Sequence, residues 1–503
     1  MKILYQQIHS ANNNNNNIFF SFTYNRNINI NTMETPMTSF PANLSYSIKT
    51  LSNFSKTTVK LTPDRTGIIN AGETFRTKLP SNALIDLRTI CMYTDASTQS
   101  GGSDNLHFPR FSSSIIKTLS IYANNTLLER VDGYSNLYNS LFDLEAGQDQ
   151  VAKRGLENAD PSVGYSVDTD HTAGTIILKT RSSVQDDTDM PMVVNNWLGF
   201  ISTASTPVID TNDWGLIEIE ITLEPANVLW GCSPTASAVP TSAGANYSIK
   251  NTTFTISKVT FNDPLYYNLK AAKLLSGGLT VGYDTYIASK TGAVAKGSSV
   301  NVLTTVNSTS LNQLICILAP SVSPISKLQL SGAGNADVGV SYNQVMSQNY
   351  AGQSNASVNH ISAGDLYNQS AYFKSDATGL TSSSLNINNT PLMAQPLSAA
   401  QVYNETLIAL GNNNIDLSAG VHEGCRSLPL FLKYYFTHIV SLENISHGGG
   451  WTKSGLDGKS AALNVSWNMV FSNTTAELFT PIIYAKVSRI AVINEGQSIT
   501  IIV

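Results

Sequence analysis

FPRFSSSIIKTLSIYANNTLLERVDGYSNLYNSLFDLE, residues Phe108–Glu145, places a strand, a reversal and a short helix in one block. Ile115, Leu119 and Ile121 point one way and Thr118, Ser120 and Tyr122 the other, the period of two of a half-buried β-strand. Asn124-Asn125 tolerates positive φ, so a tight reversal there costs little. After Val131 the period changes. Tyr134, Leu137, Tyr138, Leu141 and Phe142 recur at three- and four-residue steps, one apolar helix face. Asp132 stands where an N-cap is expected. The aromatics read as core packing in preference to a ligand box.

The flanks continue the β character. Ile85, Leu87, Thr89, Cys91 and Tyr93 alternate with Asp86, Arg88, Ile90 and Met92, the second face turning apolar toward the end. Residues 147–171 are polar and acidic and read as a long loop, followed by a strand over 175–180. Ile217, Ile219, Ile221 and Leu223 face one side, with Glu218, Glu220, Thr222 and Glu224 on the other, the cleanest strand in the chain. Phe254, Ile256, Lys258 and Thr260 alternate once more before Asn262-Asp263-Pro264, a turn signal. The second half repeats the logic. Leu314–Leu318 is an apolar run suited to a buried strand, and 324–330 alternates before a Gly-rich reversal and a Ser341–Gln344 segment. Residues 398–410 have helical spacing, and 429–442, 461–471 and 481–503 read as closing strands. In the 461–471 stretch Leu463, Val465, Trp467 and Met469 share a face. Many short strands, long loops and few helices predict an all-β chain of sandwiches or barrels.

Length and composition agree. At 503 residues the chain exceeds one ordinary core and suits two. The expected divisions are an Asn-rich arm over 1–45, a first unit over 46–262 and a second over 263–503. Met33 is an alternative start within the arm. Charged residues make up 13%, well below the roughly 25% of ordinary soluble domains, and Asn, Ser and Thr replace them. A net charge of −5 with no basic run argues against a general grip on nucleic acid. The opening MKILYQQIHSANNNNNNIFFSF is broken by Asn and is not read as a secretory signal. No apolar run approaches the roughly 20 residues of a membrane span. Cys91, Cys232, Cys316 and Cys425 are far apart, lack CxxC spacing and are expected to be unpaired and mostly buried.

Chemical motifs fail on inspection. Gly458-Lys459-Ser460 resembles a phosphate loop, but Lys453 stands where the leading Gly is required. Asp210–Gly215 resembles a calcium loop, yet Trp214 offers no ligand and Ile221 replaces the bidentate Glu. Asp168, Asp170, Asp186, Asp187 and Asp189 read as solvated loop acids. The seven histidines show no zinc spacing, and no GxSxG elbow presents a serine. No catalytic residue, metal ligand or cofactor is assigned, so an enzyme is not expected.

One resemblance is specific. FPR, a strand ending in a turn, then YSNLYN with a Leu-Phe pair behind it resembles the first-domain signature of double jelly-roll major capsid proteins of polinton-like viruses, virophages and nucleocytoplasmic large DNA viruses. Residues 193–229, with a Leu-Gly-Phe turn and a strand running to a Pro and Val228-Leu229, resemble the close of that first jelly roll. The likeness spans residues 51–503. It implies two consecutive eight-stranded jelly-roll sandwiches with short helices in loops. It further implies a major capsid protein assembling as pseudo-hexagonal homotrimers that tile an icosahedral shell beside penton and minor capsid proteins, in a virion assembled in host cytoplasm or nucleus. Phe142, Leu265, Tyr266, Tyr267 and Leu269 are the candidate contacts between lobes or subunits. The rival class is a jelly-roll carbohydrate- or receptor-binding module of a fibre or adhesin, which would share the polar loops but not the need to duplicate the sandwich.

Overall fold

The computed structural model describes residues 54–502 apart from 100–104, 110, 146–165, 171–174, 180–189, 234–245, 262–263, 296–298, 321–325, 330–346, 350–371, 374, 411–427, 444–454, 459–461 and 473–477. The expected arm and the Ser341–Gln344 segment lie outside the described residues.

In chain order the first half holds β1 (Phe54–Leu61), β2 (Ile69–Asn70), β3 (Thr74–Lys78), β4 (Leu84–Gln99), β5 (Asn105–His107), β6 (Ile116–Ala123) and β7 (Thr126–Asp132). Helix α1 (Tyr134–Glu145) follows, then β8 (Ser166–Asp170), β9 (Thr175–Lys179), β10 (Met190–Val194) and α2 (Phe200–Thr203). β11 (Val208–Asp210), α3 (Thr211–Trp214), β12 (Ile217–Leu223), β13 (Trp230–Ser233) and β14 (Asn246–Phe261) complete it. The second half runs α4 (Pro264–Leu275), β15 (Leu279–Lys290), β16 (Val294–Ala295), β17 (Ser299–Val306), β18 (Leu311–Pro320), β19 (Ser326–Gln329) and β20 (Ser347–Asn349). It closes with β21 (Leu380–Ile387), β22 (Thr390–Pro391), α5 (Ala399–Ala409), α6 (Leu428–Tyr434), β23 (Thr437–Ser441), β24 (Leu463–Phe471), β25 (Leu478–Asn494) and β26 (Ser498–Ile502).

Each half folds into two sheets, and the strand order is the same twice. The first lobe sets β1-β14-β4-β10 with β3-β12-β6-β7, and the second sets β15-β25-β18-β23 with β17-β24-β21-β22. All these pairings are antiparallel. Two three-stranded sheets, β19-β13-β5 and β20-β9-β8, then join excursions of one half to the other. Ser166–Asp170, expected as loop, is a strand because β9 pairs with it.

The duplication is also written in a six-residue segment that occurs once in each half. Ala123-Asn124-Asn125-Thr126-Leu127-Leu128 and Ile387-Asn388-Asn389-Thr390-Pro391-Leu392 form the same hairpin turn. The Asn pairs have φ of 45° and 64° in the first copy and 52° and 63° in the second. Ala123 faces Thr126 and Ile387 faces Thr390, an identical register. Each hairpin leads to a helix, α1 in one lobe and α5 in the other. The counterpart of α1 is therefore the 398–410 helix, which carries a Ser398/Gln401 capping box.

Core faces follow the alternation where no bulge intervenes. β12 buries Ile217, Ile219, Ile221 and Leu223, and β24 buries Leu463, Val465, Trp467, Met469 and Phe471. In β4 the inward set changes phase, from Ile85 and Leu87 to Ile90 and Met92. The pairing with β14 slips there, so Cys91 faces Thr255 while Asp86 faces Ser257. A bulge of this kind flips every later side chain, which is why the second face of β4 turned apolar in sequence. The same slip turns Lys258 and Thr260 away from the side of Phe254 and Ile256.

Four local expectations are corrected. Helix α1 starts at Tyr134 after Gly133, whose φ is 67°; Asp132 ends β7 and its carboxylate takes the Arg130 Nε–H and the Thr118 hydroxyl instead of capping. The 429–442 stretch opens as helix α6 before β23, and Pro264 begins the helix α4 that the turn signal had concealed. Glu224, placed on the solvent face of its strand, lies beyond the end of β12 and is fully buried.

Candidate functional site

The feature that makes one body of two sandwiches is the seam between them, and polar groups build it. Tyr283 on β15 donates its hydroxyl to Leu128 O at 2.7 Å, and Tyr484 on β25 donates to Gly133 O at 2.8 Å. The Ser205 amide donates to Gly282 O at 2.8 Å, and Gly282 N–H returns to Ser205 Oγ at 3.0 Å. Asp284 N–H donates to Thr203 Oγ1 at 2.9 Å. Phe200 meets the Tyr283 ring edge-on at 5.1 Å. At one end Asn124 donates to Gln497 O and Gln497 to Asn212 O. The partners are main-chain carbonyls and hydroxyls, directional groups that fix an orientation as well as a distance.

Two buried acids sit in this seam. Glu224 accepts from Ser135 Oγ at 2.5 Å and from Tyr372 in the second lobe at 2.8 Å; burial pushes its carboxyl up, opposed by those two hydroxyls. Glu129 is reached differently. A bulge in the β6–β7 pairing skips Leu128 and sets Glu129 opposite Ile121, on the core side of the edge strand. Its Oε2 accepts the Phe200 amide at 2.7 Å. Burial pushes this acid up to about 7, with the Phe200 amide, the Thr285 hydroxyl and the Arg489 charge pulling the other way. Gly199, at φ 79°, leaves the space the carboxyl fills. No sequence signal marked Glu129; only the extra residue in its strand turns it inward.

The sequence-chosen contact residues fall in two places. Phe142 is half-buried in the first lobe, stacked on Tyr138 at 4.1 Å and edge-on to Phe111 at 5.6 Å. Tyr266, Tyr267 and Leu269 lie on α4. Lys270 of the same helix binds Asp210 at 2.6 Å and Asp213 at 3.1 Å, with the two tyrosine rings beside it. Tyr267 is 42%, Leu269 47% and Leu275 72% exposed. The Leu265 side chain lies outside the described residues.

Ser383 Oγ and His438 Nδ1 are 3.1 Å apart, the spacing of a nucleophile and base, yet both are sealed in the second core. Trp467 Nε1–H donates to the same Ser383 oxygen at 3.0 Å. Burial lowers His438 to about 3, so it is a neutral core residue. Cys316 is another buried group, its thiol pushed up by burial to about 12, while Cys425 and the Cys232 side chain lie outside the described residues. Asp210, from the calcium-like stretch, caps α3 and pairs with Lys270. Among the described residues no three His, Cys, Asp or Glu side chains gather as around a metal, and no helix is long and apolar enough to cross a membrane.

No protein-family model and no curated protein matches the chain by sequence. Solved structures do match. A chain of the PBCV-1 virus capsid superposes with a TM-score of 0.55 at 12% identity, covering 89% of this chain and 97% of that one. The Sputnik virophage structure matches with a TM-score of 0.50 at 13% identity, covering 90% and 88%. The Faustovirus major capsid protein matches with a TM-score of 0.50 at 9% identity, covering 88% and 91%. The chain is an all-β protein with the double jelly-roll fold of these viral major capsid proteins.

Proposed function

We propose that this chain is a major capsid protein of an icosahedral DNA virus or virus-like element, assembling as homotrimeric capsomers. The observation that carries the reading is the repetition of one eight-strand order in a single chain, matched over nearly its whole length by capsid structures. Two similar lobes per chain give a trimer six similar corners, the shape that tiles a hexagonal lattice. A closed three-fold ring uses one heterologous contact three times and leaves no open end. The seam hydrogen bonds support this role, since lobes that swivel freely would not hold a lattice angle.

In this reading residues 1–45 form an arm, 46–262 the first lobe and 263–503 the second. Phe142, Leu265, Tyr266, Tyr267 and Leu269 are candidate contacts between lobes or chains, and the exposure of Tyr267 and Leu269 supports a place for them between chains. The chain works in the virion shell, alongside penton and minor capsid proteins, after assembly in host cytoplasm or nucleus. Its role is structural, with no catalysis, cofactor or specific hold on nucleic acid.

Native mass spectrometry and negative-stain imaging of purified protein test this. Three chains per particle with a pseudo-hexagonal outline are expected. A soluble monomer that never associates at any concentration would overturn the capsid reading and favour the carbohydrate- or receptor-binding module.

A further inference from the structure

Three buried polar atoms at the lobe seam lack hydrogen-bond partners: Glu129 Oε1, Thr285 Oγ1 and Arg489 Nε. They come from β7, β15 and β25, so both lobes contribute. The Thr285 hydroxyl and the Arg489 charge both face the Glu129 carboxyl, whose other oxygen holds the Phe200 amide. Phe200 opens α2, and the next residues of that segment, Thr203 and Ser205, make the hydrogen bonds to Asp284 and Gly282 across the seam. The carboxyl therefore positions the segment by which the first lobe grips the second.

We propose that Glu129 is a proton-operated latch: its neutral carboxyl closes the lobe seam, and its ionisation loosens the grip of residues 199–205 on β15. The chemistry is a matter of charge. A threonine hydroxyl donates or accepts, so Thr285 can meet Oε1 in either state while Oε2 keeps the Phe200 amide. Ionisation adds a full charge to a fully buried carboxyl, and that cost outweighs what the Phe200 amide, Thr285 and Arg489 return. The groups facing it are Tyr134 from α1, Tyr283 and Thr285 from β15, and Arg489 from β25. Arg489 is the one cation among them, and its guanidinium is also turned to Leu128 O at 3.4 Å. Burial pushes the Tyr134 and Tyr283 phenols up, so neither changes charge near neutral pH.

The direction follows from the raised acid. The folded carboxyl titrates near 7 against 4.5 for a free one, so its contribution is complete below about 4.5 and is lost as pH rises through 7. Glu224, the other seam acid, has a hydroxyl on each oxygen and serves as the comparison.

The test is the hydrogen-exchange protection of amides 200–205 and 282–284 in the full chain, from about pH 5 to about pH 9, corrected for intrinsic exchange. A local readout is needed because His438 titrates in the opposite sense over an overlapping range. Wild-type protection should fall with a midpoint near 7. Glu129→Gln, a neutral isostere with an N–H for Thr285, should hold it flat. Arg489→Gln should move the midpoint to higher pH, and Glu224→Gln should keep the wild-type profile. A flat wild-type profile, an unchanged profile in E129Q, or loss of the profile in E224Q overturns the assignment. Should E129Q fail to fold, R489Q decides: an unshifted midpoint sinks the latch.

Discussion

Gly199→Ala probes the tightest point of the seam, and Gly496→Ala supplies its control at the same φ. Both glycines sit at φ 79°, where an L side chain is strained by about 1–3 kcal/mol. Around Gly496 a new Cβ meets nothing within 4 Å, so the backbone term is the whole cost. At Gly199 a Cβ would lie 2.5 Å from Glu129 Oε2 and nearer still to Oε1 and Cδ. The carboxyl is fully buried. Moving it takes the acceptor away from the buried Phe200 amide, which costs about 1–3 kcal/mol. G199A should then cost about 2–6 kcal/mol and G496A about 1–3 kcal/mol. Denaturant unfolding followed by tryptophan fluorescence measures both. Adding Glu129→Ala to G199A should recover part of the loss, because it vacates the space. Equal destabilisation by the two glycine variants, or strict additivity with E129A, would refute the reasoning.

Two further expectations concern the second lobe. Trp467→Ala should cost about 3–5 kcal/mol, since it empties a buried indole site and strips Ser383 of its donor; chemical denaturation reads it, and a cost below about 1 kcal/mol would argue against a packed core. His438, lowered by burial to about 3, should make the fold lose stability as pH falls from 6.5 toward 3, because only the unfolded chain takes the proton there. His438→Gln should flatten that acid limb in a pH series of melting curves, and an unaltered limb would assign it elsewhere.

Local chemistry is legible wherever a strand stays in register with itself. Ile217–Leu223 and Leu463–Phe471 show their buried faces in plain alternation, and Asn124-Asn125 shows its turn, because those properties depend on neighbours in the chain. The 398–410 helix is equally visible through its spacing and its Ser398 cap. The double jelly roll itself was within reach of the sequence, through the Phe108–Glu145 block and through the paired Asn-Asn-Thr hairpins that went unused.

What the sequence left open depends on contacts between distant residues. The phase change in β4 has no local cause; it is imposed where Asp86 and Cys91 must meet Ser257 and Thr255, more than 150 residues away. Pro429–Tyr434 reads as an apolar strand but is helical, and periodicity in so short a run does not separate the two. Glu129 and Glu224 look like ordinary surface acids, one in a mixed hairpin strand and one at a strand end. A bulge turns the first inward and the second lobe closes over both, so their burial belongs to the docking of the sandwiches. Alternation determines which face of a strand is apolar, and only the assembled lobes determine which polar groups are shut away from water with it.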